Sequence, residues 1–175
     1  MAKDFSKIAL GEGSLFYSTD GTTDVAFGFT RGGTYNDNAV IRHIEVDGKK
    51  AHVKGDAIFE TGNPTLEFNL VQMQSTVLEK VFANIVVTDD VGVKTIKRKV
   101  ANIAASEYIN YVKYVGKTVE GKDVSVKILN ALGEGPVNMT FTDKGEIEIP
   151  AMWTGNMETV DDEHLPSEII LDETV

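Results

Sequence analysis

The apolar positions of this chain recur mostly at every second residue. Val25, Phe27 and Phe29 alternate with Ala26, Gly28 and Thr30, and Leu66, Phe68 and Leu70 alternate with Glu67 and Asn69. The pattern returns at Val124, Val126 and Ile128 against Ser125 and Lys127. It returns again at Ile147, Ile149 and Trp153 against Glu146, Glu148 and Met152. Successive side chains of a strand point to opposite faces, so this period marks strands with one buried face. Turn signals separate the runs: Asp20-Gly21, Asp47-Gly48, Gly62-Asn63-Pro64, Asp89-Asp90, Glu120-Gly121-Lys122 and Asp143-Lys144-Gly145. Asp-Gly between alternating runs favours a tight hairpin, because its turn needs positive φ at both central residues. The expected strands are 14–19, 25–31, 40–47, 50–55, 65–73, 85–88, 93–99, 107–115, 124–131, 137–142 and 146–153.

One segment follows the helical period. In 75–84, Val77, Leu78, Val81 and Phe82 fall on one helical face. Ser75 or Thr76 ahead of Glu79 supplies an N-cap with a nearby acid, the second pair at capping-box spacing. Many short strands, frequent turns and a single helix predict a mainly β chain. The expected form is a β-sandwich with one short flanking α-helix and extended loop or terminal arms.

Composition narrows the class. The 175 residues are 42% hydrophobic and 25% charged, which is ordinary for a globular domain and excludes wholesale disorder or a collagen-like chain. The absence of cysteine excludes disulfides and thiolate chemistry. No run approaches the ~18 apolar residues of a membrane helix. The N-terminal residues show no apolar signal core behind their charges, so a soluble protein of a cytoplasm-like compartment is expected. We expect a single domain over 1–155 with a polar, glycine-rich arm near 31–40, followed by an acidic extension over 156–175.

Charge is concentrated in that extension. The chain carries 27 acids and 17 bases, for a net charge of −10. Seven of the acids lie in the last twenty residues, which hold no lysine or arginine. Such a balance disfavours tight nucleic-acid binding, which needs cations against phosphates.

Sites of chemistry are sparse. Gly116-Lys117-Thr118 resembles the end of a phosphate loop, but the required glycine at 111 is Tyr111. Gly11-Glu12-Gly13 is followed by Phe16 where a dinucleotide fingerprint needs glycine, and Gly133-Glu134-Gly135 runs into Pro136. The sequon Asn138-Met139-Thr140 is expected to go unused in a chain read as lacking a secretion signal. Asp161-Asp162-Glu163-His164 lacks the glycine turn of a calcium loop and reads as a solvated acidic face. His43 and His52 flank the Asp47-Gly48 turn and can meet across a hairpin, but two histidines without a third ligand make a poor zinc site. Tyr108 and Tyr114 share one strand face and Tyr111 the other, which suits packing better than a sugar platform. We read no catalytic constellation, cofactor or metal site, and expect an acidic, β-rich assembly or binding domain rather than an enzyme.

A run of short motifs sharpens this. Gly11-Glu12-Gly13-Ser14-Leu15-Phe16-Tyr17 is followed by Gly28-Phe29-Thr30-Arg31-Gly32-Gly33. Then come Arg42-His43-Ile44-Glu45-Val46-Asp47-Gly48, Val53-Lys54-Gly55 and Pro64-Thr65-Leu66. In this order, over roughly residues 11 to 73, they resemble the major tail tube proteins of long-tailed phages, prophages and phage-tail-like particles of Gram-positive bacteria. The acidic end after Trp153 is longer than the usual finish of that family. The resemblance implies a β-sandwich subunit that closes into hexameric rings, which stack into a hollow tube in a virion tail assembled in the host cytoplasm. It implies self-association, with tail terminator, tape measure and tail-tip proteins as partners, and DNA that transits without binding; no membrane is involved. Arg31, Tyr35, Asn36, Asp37 and Arg42 are then candidate contacts of an inter-subunit arm. Glu67 and Asn69, on the polar face of their strand, are candidate lumen residues. Two other readings remain beside it: a secretion-system-like tube protein and a carbohydrate-binding β-sandwich module.

Overall fold

A computed structural model describes residues 9–45, 47–48, 51–139, 141, 143, 145–160 and 163–172. The chain is mainly β, with a single α-helix among the described residues. Two sheets share one long strand, β10 (Asp123–Gly133). In the first sheet β2 (Val25–Ala26) pairs with β1 (Ala9–Ser18), β1 with β9 (Ile109–Thr118), and β9 with β10. The other edge of β10 pairs first with β12 (Ser167–Leu171), over Val124–Ile128. It then pairs with β11 (Ile149–Thr154) at Leu132 and Gly133. β11 continues into the second sheet, through β6 (Thr65–Leu70) to β3 (Thr30–Asn36).

The change of partner along β10 has a local cause. Asn130 lies between the two pairings with φ of 45°, in the left-handed region that asparagine tolerates better than most residues. Its side-chain amide donates to the Asn156 carbonyl at 3.2 Å, and the Asn156 amide donates back to the Asn130 carbonyl at 3.0 Å. This reciprocal pair holds the kink that turns one strand from one sheet into the other.

The core fills the space between the sheets. Leu15, Val112 and Ile128 come from the first sheet, and Leu66, Leu70 and Trp153 from the second. Phe68 of β6 stacks obliquely on Tyr114 of β9 at 5.4 Å between centroids. The expected alternation in β6 is observed: Leu66, Phe68 and Leu70 are buried while Glu67 is exposed and Asn69 half-buried. The helix α1 (Ser75–Val81) adds Val77, Leu78 and Val81 to the same core. Its N-cap is Gln74, without a side-chain cap bond, so the expected Ser75 or Thr76 cap is not formed.

Several expectations are corrected. The strand expected over 25–31 is broken at Gly28, whose φ of 94° turns the chain between sheets. Phe27 is buried and Phe29 exposed as a result. The arm expected near 31–40 is sheet over its first part, because Thr30–Asn36 is the edge strand β3; 37–39 then turn toward β4. The acidic 156–175 segment is partly built into the sandwich as β12, which lies antiparallel on β10; Asp161 and Asp162 lie outside the described residues. No strand covers the described residues of 137–142, and Thr140 and Lys144 of the motifs above also lie outside them.

Two hairpins stand outside the sandwich as separate sheets. One joins β4 (Val40–His43) to β5 (Ala57–Thr61), the other β7 (Ile85–Asp90) to β8 (Val93–Arg98). Strands were expected to meet tightly at Asp47-Gly48 and to include 50–55; instead β4 ends at His43 and β5 begins at Ala57, and no strand covers the described residues of 44–56.

Candidate functional site

Interaction surfaces, and one cluster of ligand-type side chains, are what this fold offers. β5 is exposed along its whole length and β4 nearly so. Ile41 stands directly opposite Phe59, and both are more than half exposed. Apolar cross-strand pairs normally stabilise a sheet by packing one face on a core; here that face meets solvent. The β7–β8 hairpin ends in Val91-Gly92, with φ of 48° and 86°. Val91 is 99% exposed. A β-branched residue in the left-handed region is strained, so the tip holds an apolar side chain where glycine or asparagine suits the backbone better.

The edges of the sandwich are open. Among the described residues β3 pairs only with β6, and β12 only with β10. β12 also leaves Ile169, Ile170 and Leu171 exposed. Between the sheets lies an open cleft of about 650 Å³ lined by Gly13, Gly33, Tyr35, Phe68, Tyr114 and Val126 among others. Two glycines of the early motifs owe their identity to this packing. A β-carbon on Gly13 would sit 2.6 Å from the Tyr114 ring and 2.3 Å from the Val115 carbonyl oxygen. One on Gly33 would sit 2.3 Å from the Phe68 ring. They let backbone cross aromatic faces.

The arm and lumen candidates are distributed as follows. Arg31 is on β3 and donates to Glu148 at 3.0 Å and Glu146 at 3.2 Å. Tyr35, half-buried on the same strand, donates its hydroxyl to Ser167 of β12 at 2.9 Å. Asn36 and Asp37 accept the Asn38 and Ala39 amides in the turn toward β4. Arg42 is on β4, 3.7 Å from Glu60 across the hairpin. The structure therefore divides these five residues between an edge strand, a turn and a projecting hairpin. Glu67 and Asn69 share the polar face of β6. They line a shallow 310 Å³ depression with Arg31, Thr34, Asn138 and Met152.

The outer face of the first sheet carries a compact charge cluster. Tyr111 donates its hydroxyl to Asp24 at 2.7 Å, and Lys113 donates to the other carboxylate oxygen at 2.5 Å. The Lys127 ammonium lies 4.5 Å from the Tyr111 ring centroid and 3.6 Å from Glu168. Burial pushes the Asp24 carboxyl up, but the hydrogen bonds from Lys113 and Tyr111 outweigh it and hold the group below its usual value. The Tyr111 phenol is raised, first by its bond to that carboxylate and then by burial. A lowered carboxyl stabilises the fold above its unfolded pKa and loses that contribution as pH falls through the lowered range. A raised phenol contributes below its unfolded pKa and loses that contribution as pH rises through the raised range. Asp24→Asn is therefore expected to flatten the acid limb of stability. Urea midpoints measured from about pH 6 down to 2 should fall less steeply in the variant than in the parent. Parallel curves would mean that the cluster contributes nothing.

His43 and His52 do meet, as the hairpin reading expected, with rings stacked at 3.9 Å between centroids and 28° between planes. What sequence reasoning missed is the third group. Asp56 Oδ1 is 2.7 Å from His43 Nδ1, and its Oδ2 is 3.9 Å from His52 Nδ1. The missed signal was the i, i+4 spacing of His52 and Asp56, obscured because 50–55 was read as strand. Among the described residues this is the group of three metal-capable side chains whose ligand atoms lie within 4.8 Å of one another.

Comparison with known proteins adds no assignment: no family model matches the chain, and the search of curated proteins finds no match. Among the described residues no helix is long and apolar enough to cross a membrane.

Proposed function

We propose that this chain is a structural subunit of a phage-type tail tube. Copies close into hexameric rings, the rings stack, and DNA passes through the lumen without binding. The observation that carries the reading is the sandwich's unfilled surfaces. β3 and β12 each pair on one side only among the described residues, and the β4–β5 hairpin holds Ile41 and Phe59 in solvent. Open edges and exposed apolar strands are hazards in a lone subunit. A closed ring of identical copies covers them without leaving a new edge. The order of motifs from Gly11 to Leu66 supports the same reading by resemblance.

In this assembly the arm that reaches the next ring is the β4–β5 hairpin, with Asp37 ahead of its base and Arg42 toward the far end of its ladder. Arg31, Tyr35 and Asn36 lie on the edge open to a lateral neighbour. Glu67 and Asn69 face the channel, and the arginine beside them, Arg31, is already held by Glu146 and Glu148, so the face gives phosphates little to bind. The partners are other copies, then the terminator, tape measure and tip proteins of the tail, and the site of action is the virion. The role is passive conduction, not catalysis.

Negative-stain microscopy with light scattering on the concentrated protein tests this. Hollow rings or stacked tubes are expected, and removal of 41–59 should abolish stacking. Glu67→Lys should leave tubes intact while impairing DNA passage; loss of assembly would place Glu67 at an interface. A monomer that persists to the solubility limit, with scattering unchanged by the hairpin deletion, overturns the reading.

A further inference from the structure

We propose that His43, His52 and Asp56 bind one divalent transition-metal ion of the zinc type, and that the ion pins the 51–56 segment to the end of the β4–β5 hairpin. Two imidazole nitrogens and one carboxylate oxygen form a borderline donor set, suited to zinc, cobalt, nickel or copper and poorly suited to calcium or magnesium. Tetrahedral bonds of about 2.0–2.1 Å place ligand atoms roughly 3.3 Å apart. Asp56 offers a different oxygen to each ring, Oδ1 at 2.7 Å from His43 Nδ1 and Oδ2 at 3.9 Å from His52 Nδ1, and one ligand atom from each of the three residues lies within 4.8 Å of the others, so a modest closing shift brings the set to that spacing. An entering ion takes the place of the hydrogen between His43 Nδ1 and Asp56 Oδ1, which passes to His43 Nε2 as the ring changes tautomer, and the exposed His52 ring turns in to complete the set. Three protein ligands leave a fourth position for water.

The framework is largely built. His43 is the last residue of β4 and pairs with Ala57, the first of β5. Asp56 immediately precedes β5, and its carbonyl accepts the Ile44 amide at 2.8 Å. The Asp56 amide donates to the Val53 carbonyl at 3.1 Å, while the Val53 amide donates to Asp56 Oδ2 at 2.9 Å. A backbone donor thus aims the carboxylate, as hydrogen bonds commonly do for metal-bound carboxylates. The Asp56 side chain is only 13% exposed, so its charge sits close to both rings, whereas His52 is 70% exposed and leaves an entry path. The site uses residues of one chain and does not depend on the tube reading.

Titration of the tag-free full chain with zinc chloride, followed by calorimetry, tests it. One ion per chain is expected, with a dissociation constant on the order of micromolar. Cobalt chloride in place of zinc should give the visible bands of a low-coordinate nitrogen and oxygen site. His52→Ala removes an exposed side chain and should weaken binding at least ~100-fold, while His164→Ala leaves it unchanged. Asp56→Asn should also weaken binding. If that variant misfolds through loss of the loop bonds, His52→Ala still decides. Absence of saturable binding up to about 1 mM zinc, or equal binding by the parent and His52→Ala, overturns the proposal.

Discussion

Replacement of Trp153 by alanine is expected to remove about 4 kcal/mol of stability, a large share of the roughly 5–15 kcal/mol of a typical domain. Trp153 is fully buried on β11, opposite Leu66 of β6, and 4.9 Å from the Phe27 ring. Its indole Nε1 donates to the Lys80 carbonyl at 2.9 Å, tying a carbonyl of the last helical turn to the second sheet. The alanine variant loses the ring's burial, opens a cavity where helix and sheet meet, and removes that donor. Trp153→Phe keeps most of the volume and loses the donor, so about 1–3 kcal/mol is expected from it. The chain has a single tryptophan. Urea unfolding must therefore be followed by far-ultraviolet circular dichroism. A loss below about 1.5 kcal/mol in the alanine variant would mean that α1 settles into the space and the indole anchor contributes little.

Gly133→Ala should be nearly as damaging, by the opposite route. A β-carbon there would lie 1.9 Å from the Val81 carbonyl oxygen and 2.5 Å from its carbon. Both are backbone atoms at the end of α1, so no side chain can rotate away. The helix end or the end of β10 must move, and the Ala83 amide, which donates to the Gly133 carbonyl at 2.9 Å, moves with it. Overpacking of this kind costs about 3 kcal/mol. The same unfolding experiment measures it. Combination with Trp153→Ala adds a second reading: Gly133 and Trp153 are cross-strand partners against one helix end. Their effects should fall short of additive, because the cavity left by the indole gives the helix somewhere to go.

The strands with one buried face were legible because burial imposes the period of two. β6 shows it residue by residue, with Glu67 and Asn69 outward and Leu66, Phe68 and Leu70 inward. The helix was legible from Val77, Leu78 and Val81 for the same reason at a different period. β3 was not, because Arg31-Gly32-Gly33-Thr34 has no apolar alternation; its strand conformation comes from pairing with β6. β12 was hidden because its apolar residues Ile169, Ile170 and Leu171 run consecutively without alternation, inside a segment otherwise rich in acids, and four of its five side chains face solvent. The histidine–aspartate cluster failed for a register reason. Asp47-Gly48 suggested a two-residue turn, whereas the ladder closes between His43 and Ala57, which is what brings Asp56 beside His43.

The pairing of β1 with β9 joins residues about a hundred positions apart, Ser18 to Tyr111 and Ala9 to Thr118. Such a contact is won only after the intervening chain has surrendered its loop entropy. The hairpins β9–β10 and β7–β8 close over short distances and have no such wait. The β9–β10 hairpin, central to the first sheet, is therefore expected to form first and β1 to join it late. In that interval the outer edge of β9 is a bare template beside aromatic and β-branched side chains. The slow step of folding and the window for misassociation are thus expected to coincide, set by how soon β1 finds its place.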